Sequence, residues 1–441
     1  MESSSDIRQS YLDFFGGYAH HVLPSASLIP LADPSLLLVN AGMAPLKRYF
    51  EGKEAPPAPR LASCQKCLRT VDIDRVGYTN RHNTFFEMLG NFSIGDYFKR
   101  EAIIYAWEYL TDKRWLGMDP KFLYVTVHEK DDESPLLWER EVGVSPSRIF
   151  RLSDEHNLWT AGEVGPCGYD TEIFFDLERG TEIPCANADE FSVLENAGRM
   201  LEVWNLVFME FNRDAKGKLT PLPSQNVDTG MGLERAACVL QGKTTVFESD
   251  LFDYLVDYYH SLVAQSVGGK VRGFRVAAED LPYEPFWVLA DHTRAAVFLL
   301  ADGITPSNLD RGYVLRRLIR GILKTTYLLG VRGSYLTEPA ELVIGKMGEF
   351  YPELASARQG ILTWLSKEEE SFFSVLERGS ADLSAAIKDV WASGERVISG
   401  KLLFTLHDTY GFPFEVAKEF ALSRGYEVNE QEFDEEMAKQ R

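Results

Sequence analysis

One short stretch of the chain collects side chains that commonly bind anions. Within SCQKCLRTVDIDRVGYTNRHNTFFEMLGNFSIGDYF, residues 63–98, these are Arg69, Arg75, Arg81 and His82. They lie on and around a polar, turn-prone segment, 71–83, which joins two segments predicted to be extended, 65–70 and 84–93. A buried sheet does not accommodate so many cations, so solvent or an anionic ligand must account for them. A charged loop on a surface hairpin is the simpler interpretation, but the apolar TFFEMLGNFS beside it would hold the arginines in rigid structure.

A second anion-binding pattern is DTGMGLER, residues 228–235. The segment is predicted to follow a turn and to open a helix at Met231. Its two glycines allow close approach of the backbone to a ligand, and a helix N-terminus favours an anion. Arg235 lies one turn inside that helix, although neither the Rossmann nor the P-loop spacing is present. Asp228 could hold an ammonium group or only cap the helix, and the sequence favours neither.

The surrounding elements predict an antiparallel α+β domain. Its extended segments are 36–40, 122–128, 171–176 and 202–212, and its helices are 6–15, 95–111 and 131–142. Both faces of the 202–212 segment are largely apolar, so this strand should be central in the sheet. Asn205 inside it needs a partner or a ligand.

The pattern becomes almost entirely helical after about Gly242, where we place a domain boundary. The predicted helices are 248–266, 285–302, 310–329, 338–350, 353–378 and 413–425, with a short extended segment possible at 398–407. The final residues, EEMAKQR, still have a helical pattern, so we expect the natural protein to continue.

A basic face lies on the helix predicted over 310–329. Helical spacing stacks Arg316, Arg320 and Lys324, with Arg317 alongside. Such a face is usually only solvated, but its near absence of acids favours phosphate contacts. The whole chain has 46 basic and 66 acidic residues and a net charge of −20, which alone argues against nucleic-acid binding. An RNA ligand would therefore need this local face.

Composition also bears on compartment and cross-linking. The 441 residues contain no long uncharged apolar run, and the first residues are acidic and polar, so we predict neither a membrane span nor a secretory signal. We therefore expect a cytoplasmic protein without membrane partners. Five cysteines, few and odd in number, predict no disulfide framework.

Several stretches, in order, resemble the class II aminoacyl-tRNA synthetases in their alanyl-specific form. CLRT followed by GYTNRHNTFFEMLGNFSIGDYF resembles motif 2, and VDTGMGLER resembles motif 3. The similarity continues through WTAGEVGPCG, EVWNLVFMEFNRD, PSNLDRGYVLRRLIRG and HDTYGFPFE, nearly the whole chain. It implies a class II synthetase-like antiparallel sheet flanked by helices as an aminoacylation domain over 1–242. A mostly α-helical domain for tRNA acceptor-stem recognition would occupy 243–441.

The resemblance implies an alanine–tRNA ligase activity, in which ATP, with Mg²⁺, activates L-alanine to alanyl-adenylate for transfer to the 3′ end of tRNA(Ala). It implies that Arg69 binds the α-phosphate, Arg235 the γ-phosphate and Asp228 the substrate ammonium, and these are the expected catalytic residues. The expected ATP-binding residues are Arg69, Arg81, His82, Met88, Trp159, Val207, Gly230, Gly232 and Arg235. The expected alanine-binding residues are Met88, Trp159, Asn205, Val207, Asp228 and Gly230. Taken singly, Met88, Trp159 and Val207 would more commonly be core residues.

The resemblance further implies that Asn308 and Asp408 read a G·U wobble pair in the acceptor stem. The expected tRNA-binding residues are Asn308, Asp408, Arg311, Arg316, Arg317, Arg320 and Lys324. Nothing in the sequence matches the editing domain of the family, so we expect charging without proofreading. Relatives often oligomerise through C-terminal regions that are not matched here, so we expect a monomer.

We expect no structural zinc. Cys64 and Cys67 lie in a predicted strand with no second ligand pair at suitable spacing. Some bacterial relatives carry a Cys/Cys/His/His cluster that begins at the position of Cys167. The later positions of that pattern here hold Asp170, Leu177 and Gly180.

Two other functions remain open. A catalytically silent tRNA-binding paralogue is disfavoured because both arginines and Asp228 are present. An adenylating enzyme that passes its acyl group to a carrier or small molecule would share the first domain but would not need the basic helix.

Overall fold

A computed structural model of the protein describes residues 3–31, 33, 36–160, 165–180, 183–266 and 284–440. Part of the WTAGEVGPCG motif, residues 161–164, lies outside the described residues. The chain divides into two compact units, residues 1–254 and 255–441. The boundary expected from the sequence, after residue 242, lies shortly before this division. Within the described ranges, no helix has the length and apolar character needed to cross a membrane.

The first unit is built on a sheet that has nine strands within its described residues. The strands are β1 (His21–Leu23), β2 (Arg60–Leu68), β3 (Phe85–Ile94), β4 (Leu123–His128), β5 (Ile149–Leu152), β6 (Leu158–Thr160), β7 (Gly165–Asp176), β8 (Met200–Arg213) and β9 (Leu219–Gly232). Their order is β1-β2-β3-β9-β8-β7-β4-β5, with β6 paired to β7. All pairs are antiparallel except the two at the edges, β1 with β2 and β4 with β5. The predicted antiparallel α+β architecture is confirmed.

Helices flank this sheet. They are α1 (Ser4–Gly17), α2 (Lys47–Phe50), α3 (Lys99–Thr111), α4 (Glu133–Arg140), α5 (Asp154–Asn157), α6 (Ala188–Asn196) and α7 (Leu233–Leu240). Helix α1 begins after Ser3, whose side chain accepts a hydrogen bond from the Asp6 amide in a capping box. It buries an aromatic and aliphatic face that includes Ile7, Tyr11 and Phe15.

Sequence patterns predicted two features of the sheet correctly, missed one central strand and predicted one strand that does not form. Strands β2 and β3 form the predicted hairpin, and β8 is central, with Trp204, Leu206 and Phe208 fully buried on one face. Strand β9 was not predicted, because its Pro, Ser and Gly residues are poor strand formers. The strand predicted at 36–40 is wrong: that segment is irregular, and Val39 bonds through its backbone to Leu28 and Leu68.

The second unit is helical, as predicted. Its elements are α8 (Asp253–Ser266), which starts just before the division, then α9 (Pro285–Ala301), α10 (Asp310–Leu328), α11 (Thr337–Met347), α12 (Pro352–Ser393), β10 (Val397–Ile398), α13 (Gly400–Tyr410), α14 (Phe414–Leu422), β11 (Glu427–Val428) and α15 (Glu430–Gln440). The extended segment expected at 398–407 is mostly wrong. Only its first residue belongs to a strand, and helix α13, which buries Leu403 and Leu406, follows.

Candidate active site

A cavity of about 430 Å³ in the first unit brings together all the residues predicted to bind ATP or alanine. Its lining includes Arg69, Arg81, His82, Met88, Trp159, Asn205, Val207, Asp228, Gly230, Gly232 and Arg235. These residues come from β3, β6, β8 and β9, the loop between β2 and β3, and the start of α7. The sheet therefore supplies the floor of the cavity, and the loop supplies cations.

Strand register explains why these side chains meet. On β8, Val207 pairs with Asp228 of β9 on one side and with Asp170 of β7 on the other. Two residues along, Asn205 pairs with Gly230 and Glu172 in the same way. Because directly paired residues project from the same face of a sheet, two rows of side chains lie side by side on the cavity floor.

A bulge changes the alternation next to these rows. Ile173 pairs with Trp204, but the next residue of β7, Phe174, pairs with Glu202, so Val203 is an extra residue. A bulge of this kind re-aims side chains near functional sites. As a result, Glu202 and Val203 both line the cavity although they are adjacent in sequence.

Several arginines converge on the cavity, each held by a neighbour. Arg69 donates from Nε to the Asn40 carbonyl at 3.1 Å, and its guanidinium lies 4.9 Å from the centre of the Phe86 ring. Arg81 donates to the Glu195 carbonyl at 2.9 Å. Arg235 donates from Nη1 to Glu202 Oε2 at 2.8 Å. These contacts fix the positions of the cations before any ligand enters.

Burial and the nearby positive charges shift the pKa values of Arg81 and His82. Burial, with Arg235 close by, lowers the pKa of Arg81. Burial and the charges of Arg235, Arg81, Arg75 and Arg69 lower the pKa of His82 to about 3. An anionic ligand would relieve this crowding.

His82 is therefore neutral, and its tautomer follows from its partners. Arg75 can only donate, so His82 Nε2 accepts from Arg75 Nη1 at 3.3 Å. The proton must then reside on Nδ1, which donates to Thr79 Oγ1 at 2.7 Å. His82 thus orients Arg75 without adding charge of its own.

Asp228 has the opposite character. It is buried, and burial raises the pKa of its carboxyl to about 7. It lies inside β9, and the N-cap of α7 is Gly232, so the alternative that Asp228 caps the helix is wrong. A buried carboxylate in this position would be stabilised by a cationic ligand group such as an ammonium.

The two glycines of the motif have different surroundings. A Cβ on Gly230 would lie 2.7 Å from Met88 Sδ, so this glycine makes room for Met88. A Cβ on Gly232 would meet only the Arg235 side chain, at 3.5 Å. The Met88 side chain therefore packs into the space that a Cβ on residue 230 would partly fill.

Among the acidic residues of the cavity that were not predicted as site residues, three lie on β7 and β8. They are Asp170, Glu172 and Glu202. Asp170 and Glu172 alternate along β7, and a period-two pattern of two carboxylates inside an apolar strand was a usable signal. Glu202 carried no such signal, because the bulge at Val203 decides the direction of its side chain.

The residues predicted to contact tRNA lie in the second unit. Asn308 and Asp408 are exposed, and Asp408 lies in helix α13 rather than in the expected loop. Arg316 and Arg320 of α10 pair with Glu368 of α12 at 3.0 and 3.7 Å. The remaining predicted residues are Arg311, Arg317 and Lys324, of which Lys324 pairs with Glu415 of α14 at 2.7 Å. Acidic residues of α12 and α14 thus partly neutralise the basic face of α10.

Comparisons with known proteins identify the family of the chain. Residues 6–441 match the family described as tRNA synthetases class II (A). The alanine–tRNA ligase of Bacillus velezensis is 47% identical over 439 residues, which are 100% of this chain and 48% of that relative. The enzyme of the same name from Carboxydothermus hydrogenoformans is 45% identical over 99% of this chain and 48% of that relative.

A solved structure, apo histidyl-tRNA synthetase of S. aureus, is 12% identical over 54% of this chain and 66% of that chain, with a TM-score of 0.33 that carries no conclusion by itself. The chain spans about half the length of the curated relatives it matches. It belongs to the class II (A) tRNA synthetase family.

Proposed function

We propose that this chain is the part of an alanine–tRNA ligase that activates L-alanine with ATP and transfers it to tRNA(Ala). The observation that carries the proposal is a single cavity with convergent arginines and, on its sheet floor, the buried carboxyl of Asp228. Such a cavity suits two substrates that bind side by side, a polyphosphate and a small amino acid. Two relatives that match 100% and 99% of the chain are named alanine–tRNA ligase.

In the first step, the carboxylate of alanine attacks the α-phosphorus of ATP, an O–P bond forms, and the bond to pyrophosphate breaks. Arg69 and Arg235 would stabilise charge on the α- and γ-phosphoryl oxygens through charge-assisted bonds, each worth about 1.5–3 kcal/mol. Arg81 and the His82–Arg75 pair would support the nucleotide. Asp228 would hold the α-ammonium, and so direct the carboxylate of alanine toward phosphorus.

In the second step, a ribose hydroxyl of the 3′-terminal adenosine attacks the carbonyl carbon of alanyl-adenylate. An ester bond forms, AMP leaves, and the hydroxyl proton is released to solvent. Neither step requires a protein nucleophile, since orientation and electrostatic stabilisation supply the acceleration. Residues 1–242 would perform this chemistry.

ATP would enter with Mg²⁺ as its complex. Within the residues that the structure describes, no group of three or more His, Cys, Asp or Glu side chains is arranged to hold a metal ion. Carboxylates of the cavity such as Glu202 would help to hold the Mg²⁺, an ion that favours oxygen ligands from phosphate groups and water. When bound, the ion would neutralise phosphate charge.

Residues 243–441 would recognise the acceptor stem of tRNA, with Asn308 and Asp408 at the base pair. Helix α10 would supply cations near phosphates, most directly the exposed Arg317.

We also propose a cytoplasmic location, because tRNA charging serves translation there. We further propose that the chain is a monomer. Light scattering would test this against the expected mass of 49.9 kDa.

The test is ATP–pyrophosphate exchange that depends on alanine, followed by charging of tRNA(Ala). Arg69→Ala should abolish exchange, while Arg114→Ala, an exposed arginine outside the cavity, should leave it unchanged. Exchange without charging would favour an enzyme that adenylates alanine for another acceptor. Absence of alanine-dependent exchange in the wild type would overturn the proposal.

A further inference from the structure

The floor of the cavity holds an amide whose donor side is occupied by two carboxyl groups. Asn205 donates from Nδ2 to Asp170 Oδ2 at 2.6 Å and to Glu172 Oε1 at 3.2 Å. Because Nδ2 carries two hydrogens, these two acceptors occupy both of them. The arrangement follows from strand register, which pairs Glu172 with Asn205 and Asp170 with Val207.

The other end of the same amide has no such contact. Asn205 Oδ1 is buried and has no hydrogen-bond partner among the described residues. Turning the amide over would place Oδ1 against two carboxyl oxygens and would lose both hydrogen bonds. The two carboxyl groups therefore fix which atom of Asn205 remains available as an acceptor.

Asn205 and Asp228 are close enough to act on one group. Asn205 pairs with Gly230 of β9, and Asp228 is two residues from Gly230 on that strand. Diagonal neighbours of this kind lie roughly 7–8 Å apart and reach each other through their side chains. Both residues line the same cavity. An ammonium group, with three N–H donors, could bond to both acceptors at once.

We propose that Asp170 and Glu172 are positioning residues, which lock the Asn205 amide so that its oxygen accepts from the substrate ammonium beside Asp228. The inference rests on the proposed function. It assigns recognition of the substrate ammonium to four residues, Asp170, Glu172, Asn205 and Asp228. Asp170 and Glu172 act through Asn205 and do not themselves touch the substrate.

The orientation of the Asn205 amide does not require that Asp170 and Glu172 both carry a full negative charge. Burial raises the pKa of Asp170 to about 7 and raises that of Glu172 as well, with the charge of Glu202 adding to both shifts. A protonated carboxyl still accepts from Asn205 through its other oxygen, and one ionised carboxylate, which can only accept, is enough to keep the amide from turning over.

A double-mutant cycle tests the assignment, with alanine-dependent pyrophosphate exchange as the readout. The variants are Asp170→Ala, Asn205→Ala and the two combined. Asp170→Ala should raise the KM for alanine about tenfold while the KM for ATP and kcat stay within about twofold of wild type. In the Asn205→Ala background, the same change should add less than about twofold, because coupled residues are not additive. Asp170→Asn, which keeps an acceptor oxygen, should restore the KM for alanine to within about threefold of wild type.

Asp170→Leu separates the lost acceptor from lost packing, since leucine fills a similar volume without accepting a hydrogen bond. A normal KM for alanine in Asp170→Ala or Asp170→Leu would overturn the positioning role, and so would additive effects in the cycle or an equal rise in the KM for ATP. These outcomes are distinct from a failure of the proposed function, in which the wild type itself would show no exchange with alanine.

Discussion

The guanidinium of Arg316 donates from Nη1 to the side-chain oxygen of Asn308 at 2.5 Å. On its other side, Arg316 donates from Nε and Nη2 to the buried carboxylate of Glu368. Arg316 is thus a link between the helical core of the second unit and an exposed asparagine. With its oxygen occupied, Asn308 presents its NH₂ group as the donor to an acceptor on a base edge.

This link predicts that Arg316→Ala and Asn308→Ala have the same effect. Each should lower kcat/KM for charging of tRNA(Ala) by about tenfold, or ~1.4 kcal/mol, because each removes the oriented donor. Alanine-dependent pyrophosphate exchange should remain at the wild-type rate. The exposed Arg358→Ala serves as the matched control and should alter neither reaction. Equal losses in charging and exchange would contradict the assignment of Asn308 to tRNA recognition.

Salt dependence distinguishes positioning from phosphate contact. If Arg316 acts through Asn308, Arg316→Ala should leave the slope of log affinity for tRNA against log salt unchanged. Arg317→Ala, on the exposed side of the same helix, should reduce the slope by about 0.7–0.9 if it removes one phosphate contact. Filter binding across a salt series measures both. A reduced slope for Arg316→Ala would show that this arginine contacts phosphate directly.

The buried carboxyl of Asp228 should lower the stability of the fold at neutral pH while it favours substrate binding. Its carboxyl has a pKa raised from 3.8 to about 7 in the folded protein. A raised acid pKa means that the folded state binds the proton more tightly than the unfolded state, so stability falls as pH rises between about 4 and 7. Asp228→Asn removes this penalty and should raise the unfolding midpoint at pH 8 by several degrees, with the difference vanishing near pH 4.

The same variant should bind alanine poorly. Loss of one charge-assisted bond to the ammonium predicts a rise of about 10- to 100-fold in the KM for alanine. Thermal melts at pH 4 and pH 8 measure the effect on stability, and exchange kinetics measure the effect on the KM for alanine. A variant that is less stable than wild type at pH 8, or one with an unchanged KM, would contradict the role of Asp228 as a buried acid that binds a cationic group.

The small pocket should discriminate weakly between close analogues of alanine. Glycine lacks one carbon and serine adds one hydroxyl, and differences of this size are worth about 1–3 kcal/mol. We expect kcat/KM values for exchange with glycine and serine about 10- to 200-fold below the value for alanine. Leucine, which is far larger, serves as the negative control. Serine-dependent exchange no higher than that with leucine would rule out this account of the pocket.

A buried ion pair should be important for the stability of the first unit. Arg8 of α1 donates from Nε and Nη2 to the two carboxylate oxygens of Glu87 on β3, each at 2.9 Å. Arg8→Met leaves Glu87 buried without this partner and should lower the free energy of unfolding by about 3–5 kcal/mol. Arg114→Met, which breaks an exposed pair with Asp112, should have little effect. Urea denaturation measures both, and a loss below about 1 kcal/mol for Arg8→Met would show that the pair is dispensable.

Sequence patterns predicted the features that depend on neighbours along the chain. The two apolar faces of β8 identified it as a central strand, and the polar segment between two extended runs identified the hairpin that carries Arg69 and His82. Most helices followed from a 3.6-residue period and their caps. The residues assigned to ATP and alanine came from resemblance to a family, and one cavity contains them all.

Tertiary structure decided what depends on residues far apart in sequence. The register of β7 against β8 places Asp170 and Glu172 on Asn205, and no local pattern specifies a register. Helix α10 has few acids of its own, yet Glu368 and Glu415 reach its cations from α12 and α14. Strand β9 exists despite weak local propensity because β3 and β8 bond to it on both sides. Local periodicity depends on residues that are close in sequence, whereas register, ion pairing and burial arise only when distant segments pack together.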